Sequence, residues 1–462
     1  MSGTPSTPPT SPRLTARRAL LRGSLGAAAV ASLAPFVHGA SSGEVAFSPA
    51  HPLFPKPVHH SPKARRVIMI FLNGGLSHVD SFDPKPALER DHGKTVSGKT
   101  KLLRSPWAAR PRGESGMVIS DLFPHIASCA DEIALIRSMH GDHGDHFEAT
   151  LGMHTGSNGS ALPGIGAWLS YGLGTDNPNL PSHVVMAAKN PYAGSQVWDS
   201  NFLPAMHQGV RITPGDQPIP HLQPRVASPQ LRELEVGFLE TLNRRHADQR
   251  PTDGKLADRI QSFRTARGMQ DQAPRVFNTS DEYPATLDLY GIKPGDGRSF
   301  AWQCLMARRL AEAGVRFIEL IDPNNWDAHG NIAEHGKIAP AIDRPIAALL
   351  SDLKQRGMLD ETLVVFCTEF GRTPASISAG REHHRHAFSC WLAGGGAKAG
   401  YVHGETDEHG ITIARDAVHV HDFHATILHL LGLNHERLTF HHGGRDHRLT
   451  DVYGHVVQAV IA

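Results

Sequence analysis

The run Val67-Ile68-Met69-Ile70-Phe71-Leu72 is apolar at every position, with none of the polar alternation of a half-exposed strand. A strand of this kind belongs in the interior of a sheet covered on both faces, which means a mostly parallel α/β sheet. The chain repeats the theme. Ile133 to Ile136, Val315 to Ile321, Leu363 to Thr368 and Phe388 to Leu392 read as further strands, and Leu122 to Ala130, Ser299 to Ala313, Ala339 to Arg356 and Asp422 to Leu431 as helices. Two amphipathic helices are expected over Pro229 to Arg245, with Ser228 as N-cap, and over Lys255 to Arg267. Residues 157–224, rich in Gly, Pro and Asn without a sustained period, read as a long insertion.

The segments that leave the strands share a polar character. Gly74 to Asp83, Met139 to His146, Trp326 to His335 and Thr368 to His386 are rich in histidine and acid, and each comes after a strand-like stretch. Loops at the carboxyl ends of the strands of an open α/β sheet meet in one crevice, so segments distant in sequence can build one site. Histidine number alone does not define that site: of 31 histidines, many must simply be solvated.

At 462 residues, 40% hydrophobic and 20% charged, the chain is long enough for a large α/β domain carrying an insertion. Lys plus Arg is 46 against 45 for Asp plus Glu, so no net field points to nucleic acid or to an anionic membrane. The amino terminus reads as an export leader over residues 1–40: Arg13, Arg17, Arg18 and Arg22 precede a short apolar run, Gly23 to Pro35. That run is too short to span a bilayer, which takes roughly 20 residues. Arg17-Arg18 followed by Ala19-Leu20-Leu21-Arg22 resembles a twin-arginine signal, so the export machinery is an expected partner and the mature protein is expected in the periplasm or outside the cell. Residues 41–64 read as a linker or an arm laid over a single domain that fills 65–462. The cysteines, Cys129, Cys304, Cys367 and Cys390, form no CxxC pair; buried thiols are expected, with a Cys367 to Cys390 bridge left open.

The candidate chemistry is distributed over the four loops. In the first, Gly74 and Gly75 permit a tight turn, and His78, Asp80 and Asp83 supply donor atoms. In the second, Asp142 to His146 runs into a helix whose amino end would favour an anion. In the third, Asp327 and His329 point the same way if the backbone is extended and could grip one ion, with His335 as a further donor. In the fourth, Glu369 leaves the strand as a ligand carboxylate would, Arg372 could clamp an oxyanion in two-pronged fashion, and His383 or its neighbours could close the shell.

These motifs, GGLSHVDSFDPK (74–85), WDAHGN (326–331), TEFGRTP (368–374), GREHH (380–384), FSCWLAGGGAKAGYVHGETDEHG (388–410) and GGRDHRLTDVYGHVV (443–457), together resemble the DUF1501 family, exported bacterial proteins near the sulfatase and alkaline phosphatase superfamily. The resemblance implies an alkaline-phosphatase-like three-layer α/β sandwich with a one- or two-metal site at the strand ends. It implies a nucleophile near His146, where catalytic members of the superfamily carry Ser, Thr or Cys, and it sets Asn73 and Phe370 at positions where they carry metal ligands. The expected activity is therefore metal-dependent hydrolysis of phosphate or sulfate esters, of a small molecule or a polysaccharide. Asp327, His329, Glu369 and His383 are the expected ligands, Asp80 or His78 assist, and Arg372 holds the oxyanion. Nitrogen and oxygen donors without thiolate favour a divalent metal such as Zn or Mn. The rival expectation is a non-catalytic exported binding or assembly protein that keeps the fold.

Overall fold

Every side chain of β1 (Arg66–Leu72) from Val67 onward is buried, and the strand lies inside a nine-stranded sheet, as its unbroken apolar run requires. A computed structural model of the chain describes residues 53–222, 228–251 and 253–462; the leader read over residues 1–40 lies outside them. The other strands are β2 (Ile133–His140), β3 (His183–Ala187), β4 (Val210–Ile212), β5 (Phe317–Ile321), β6 (Thr362–Thr368), β7 (Phe388–Ala393), β8 (Tyr401–His403) and β9 (Val418–His419). Their order is β8-β2-β7-β6-β1-β5-β3-β4, with β9 also paired to β2. Within this sheet β7 alone runs against its neighbours, β6 and β2.

The principal helices are α1 (His146–Thr155), α2 (Ile165–Leu173), α3 (Pro229–Asp248), α4 (Gly254–Val276), α5 (Phe300–Glu312), α6 (Pro340–Gln355) and α7 (Val420–Leu430). Alternate residues of a strand face opposite sides. Ile68, Ile70 and Leu72 therefore pack in one core with α5 and α6, while Val67, Met69 and Phe71 pack in another with α2 and α7. The result is the three-layer α/β sandwich, a mostly parallel sheet between two helical layers.

The sheet direction decides where the polar loops go. β1, β2, β5 and β6 are mutually parallel or linked through β7, so the segments that leave them arrive at one edge. Because β7 runs the other way, it is the segment entering it, residues 380–387, that lies at that edge. His383 reaches the site by this reversal.

One expectation needs correction. Residues 157–224 are not an insertion outside the sheet: they contribute α2, β3 and β4, and β3 pairs in parallel with β5 along its whole length. α2 is buried nearly all round, so it has no amphipathic period to betray it, and β3 is only five residues, fully buried. Elsewhere serine caps set the helix starts, Ser228 as expected. Ser228 Oγ accepts from Leu231 N–H at the start of α3, and Ser299 Oγ from Trp302 N–H at the start of α5, 3.0 Å away.

Residues 53–64 run over the ends of α2 and α7, with Lys56 N–H donating to Leu173 O at 3.0 Å and Lys63 N–H to Leu430 O at 2.8 Å. All four cysteines are buried and free. No helix among the described residues is long and apolar enough to cross a membrane.

Candidate metal centre

Four side chains from three loops converge at the sheet edge. Asp327 and His329 come from the loop after β5, His146 is the first residue of α1, after β2, and His383 lies just before β7. The ligand atoms of His146, Asp327 and His383 all lie within 4.8 Å of one another. Asp327 Oδ1 is 3.4 Å from His146 Nε2, 3.5 Å from His383 Nε2 and 2.9 Å from His329 Nε2. His329 Nε2 and His383 Nε2 are 3.0 Å apart. Donors on one tetrahedral transition-metal ion, each at roughly 2.0–2.2 Å from it, stand about 3.3 Å from each other, so the spacing fits an ion between these groups.

The remaining ring nitrogens fix which way each imidazole is loaded. His146 Nδ1–H donates to Glu369 Oε1 at 2.7 Å, His329 Nδ1–H to Glu382 Oε2 at 2.7 Å, and His383 Nδ1–H to the carbonyl of Gly144 at 2.7 Å. With Nδ1 spent in each case, Nε2 is the atom that faces the cluster, and in the neutral ring it carries the lone pair with which histidine binds metal. His146 Nε2 is buried without a hydrogen-bond partner. An orphaned buried nitrogen is costly unless something else satisfies it. The N-rich, thiolate-free donor set suits Zn²⁺ or Mn²⁺.

Electrostatics support a deprotonated Asp327. Burial opposes its charge, but His146, His383 and Arg372 beside it outweigh burial and hold its pKa well below the ordinary carboxylate range. Burial likewise pushes the His146 pKa down, and the carboxylates of Asp327 and Glu369 more than reverse this, leaving it raised. The Tyr192 ring stacks on His146, with centroids 4.1 Å apart, and Phe370 flanks both His146 and His383 at 4.8 and 4.6 Å.

Several expected roles change on this geometry. Glu369 supports rather than ligates: its Oε1 accepts from both Gly74 N–H, at 2.8 Å, and His146 Nδ1–H, at 2.7 Å, orienting that ring. Arg372 does not offer a free fork to an oxyanion. It is fully buried, donates from Nη2 to Asp327 Oδ1 at 2.7 Å and to the Gly74 carbonyl, from Nε to Gly75 O at 2.9 Å and from Nη1 to Arg381 O at 3.3 Å, so it positions Asp327. His146, placed near a nucleophile by resemblance, has its free nitrogen in the cluster and reads as a ligand.

Asp80 and His78 lie outside the cluster. Asp80 is locked to Arg381, with Oδ2 2.6 Å from Nε and Oδ1 3.1 Å from Nη2. His78 Nε2 is committed to Gly410 O at 2.9 Å, and burial pushes its pKa down. The Asp83 carboxylate pairs with Lys85 at 3.0 Å, and His335 is buried against Trp326 with its pKa pushed down to about 3 by burial. The turn after β1 passes through Gly74, whose φ of 114° and close approach to Asn325 and Trp326 leave no room for a Cβ.

Three contributors escape sequence reasoning: Glu382 and the Gly144 carbonyl, which fix two of the imidazoles, and Tyr192, from the segment read as insertion. Glu382 was legible in principle, since an acid next to His383 in the GREHH motif is a natural partner for a facing imidazole.

A family model described as a protein of unknown function, DUF1501, matches residues 64–461. No curated protein matches the chain. Solved structures similar to it include the lipoteichoic acid synthase LtaP from Listeria monocytogenes, at 9% identity over 82% of this chain and 76% of that one, with a TM-score of 0.37. The phosphonate monoester hydrolase SpPMH from Silicibacter pomeroyi matches at 11% identity over 79% and 73%, with a TM-score of 0.34. The PsFucS1 sulfatase from Pseudoalteromonas sp. matches at 12% identity over 80% and 68%, with a TM-score of 0.33. Likeness at this level carries none of their activities over.

Proposed function

The chain belongs to the DUF1501 family, and from the centre at its sheet edge we propose that it is an exported, metal-dependent hydrolase of phosphate or sulfate esters. The observation that carries this reading is the pair His329 Nε2 and His383 Nε2, 3.0 Å apart while both rings spend Nδ1–H elsewhere. Two lone pairs so placed repel unless a proton or a metal ion sits between them, and the Asp327 carboxylate supplies charge that matches either.

His146, Asp327, His329 and His383 would hold the ion. When bound, a divalent transition metal supplies Lewis-acid polarisation of an ester and a lowered pKa for an attacking water. The protein's own part is positioning. Glu369 fixes the His146 ring and Glu382 the His329 ring, Arg372 keeps Asp327 ionised and aimed, and Tyr192 and Phe370 keep water from the faces of His146. The twin-arginine-like leader read from the sequence supports work in the periplasm or outside the cell, and the substrate class we propose is a small-molecule or polysaccharide ester.

One observation favours a second reading, a non-catalytic exported binding protein that retains a metal: four N–H groups of Arg372 are already spent on protein acceptors. Turnover of 4-nitrophenyl phosphate and 4-nitrophenyl sulfate by metal-replete protein separates the two. Hydrolysis of at least one ester is expected. The Glu369→Gln variant, which loosens the hold on His146, should need about 10–100-fold more free metal for half-maximal rate. No hydrolysis of either ester by fully loaded wild type would leave the binding protein as the better account.

A further inference from the structure

α3 (Pro229–Asp248) contributes no buried residue to the domain. Its half-buried positions, Arg232, Val236, Asn243 and Ala247, recur every four or seven residues and mark the side turned toward α4, which it meets through Glu233 and Arg267 at 2.5 Å. On the other side Leu231, Leu234, Phe238 and Leu242 are 58%, 71%, 64% and 45% exposed. Spacings of three, four and four place them in one line along the helix. A continuous apolar stripe differs from the singly scattered hydrophobics of an ordinary surface and marks an interaction site.

We propose that a second copy of this chain covers the stripe, with α3 packed antiparallel on α3 about a two-fold axis. Two features select that occupant. The first is charge: the stripe is bordered by Glu235 toward its amino end and by Arg245 and His246 toward its carboxyl end. Antiparallel pairing sets acid near base twice over, whereas parallel pairing sets like against like. The second is area. With Leu239 included, the stripe presents roughly 500–600 Å² of apolar surface, most of the approximately 800 Å² that a stable interface takes from each partner. A lipid surface fits less well, because Glu235 borders the stripe and would have to approach anionic headgroups.

In the antiparallel pair, with Phe238 of one copy over Leu242 of the other, Leu234 lies beside Arg245. Sedimentation velocity on the exported protein at micromolar concentration should show a dimer. The double substitution Leu234→Glu with Phe238→Glu should give a monomer whose far-UV circular dichroism and metal content are unchanged. Mixing Leu234→Cys protein with Arg245→Cys protein under mild oxidation should yield mixed crosslinked dimers in preference to Leu234→Cys homodimers. A monomeric wild type, a dimer that survives the double substitution, preferential Leu234→Cys homodimers, or a monomer that binds anionic vesicles through this stripe would each overturn the proposal.

Discussion

Asp80→Ala should destabilise the protein by about 3–5 kcal/mol, because it strands the guanidinium of Arg381 without a counter-charge in the interior. Both side chains are fully buried and share a two-pronged pair, and Ser77 Oγ donates a further hydrogen bond of 2.5 Å to Asp80. Arg381 also donates to the carbonyls of Pro374 and Leu103, at 3.0 and 3.1 Å, so the pair ties the loop after β1 to the segment that delivers His383. Burial works to raise the Asp80 pKa, but Arg381 and Ser77 prevail and it is lowered. The pair's contribution is therefore present above the unfolded value of about 4 and is lost as pH falls through the depressed folded value. Urea unfolding of wild type and Asp80→Ala near neutral pH measures the difference. A loss below about 1 kcal/mol would show that water or a rearranged acceptor satisfies Arg381, since a typical domain has only about 5–15 kcal/mol in total.

The second large effect lies at His154 and Glu319. Both are buried; His154 Nε2 is 2.7 Å from Glu319 Oε1, and its Nδ1–H donates to the Thr150 carbonyl at 2.7 Å. The pair joins α1, which carries His146, to β5, whose loop carries Asp327 and His329. Burial alone would push the His154 pKa down, but the Glu319 carboxylate and the Thr150 carbonyl outweigh it and raise the value above 6.5. A raised folded pKa means that the stabilisation is full below the unfolded value and disappears as pH rises through the folded one. His154→Leu leaves Glu319 buried and unpaired and should cost about 3–5 kcal/mol, whereas the double substitution His154→Leu with Glu319→Leu should recover most of it. The cost of the single substitution should be greater at about pH 6 than at alkaline pH above the raised folded value, where wild type has lost the same charge pair. Equal costs at both, or no recovery in the double variant, would show that the two groups are not an ion pair in the folded protein.

The sheet was legible where strands are apolar throughout. β1, β6 and β7 declare themselves because both faces of each are covered, and α6 because one face packs in the core and the other meets solvent. α2 and β3 were hidden for the opposite reason: a helix buried all round has no periodic polar face, and a five-residue strand between Pro- and Gly-rich stretches has little length to show.

At the site, the Asp327-Ala328-His329 spacing was informative because the two side chains do turn toward a shared neighbour. Asp80 and Glu369 were read as metal donors and Arg372 as an oxyanion clamp, because sequence cannot tell a ligand from the partner that holds a ligand. That distinction depends on which acceptor each Nδ1–H reaches, and the acceptors come from elsewhere in the chain: Glu369 for His146, 223 residues away, and Gly144 for His383, 239 residues away.

The most direct measurement is the metal content of the purified protein, by plasma mass spectrometry, for wild type and Asp327→Ala. The geometry predicts a stoichiometric divalent transition metal in wild type, its loss in Asp327→Ala, and a folded variant by circular dichroism. Wild type that takes up no such metal even when supplied with it, or an Asp327→Ala protein that retains a full complement, would contradict the assignment of this cluster as a metal centre.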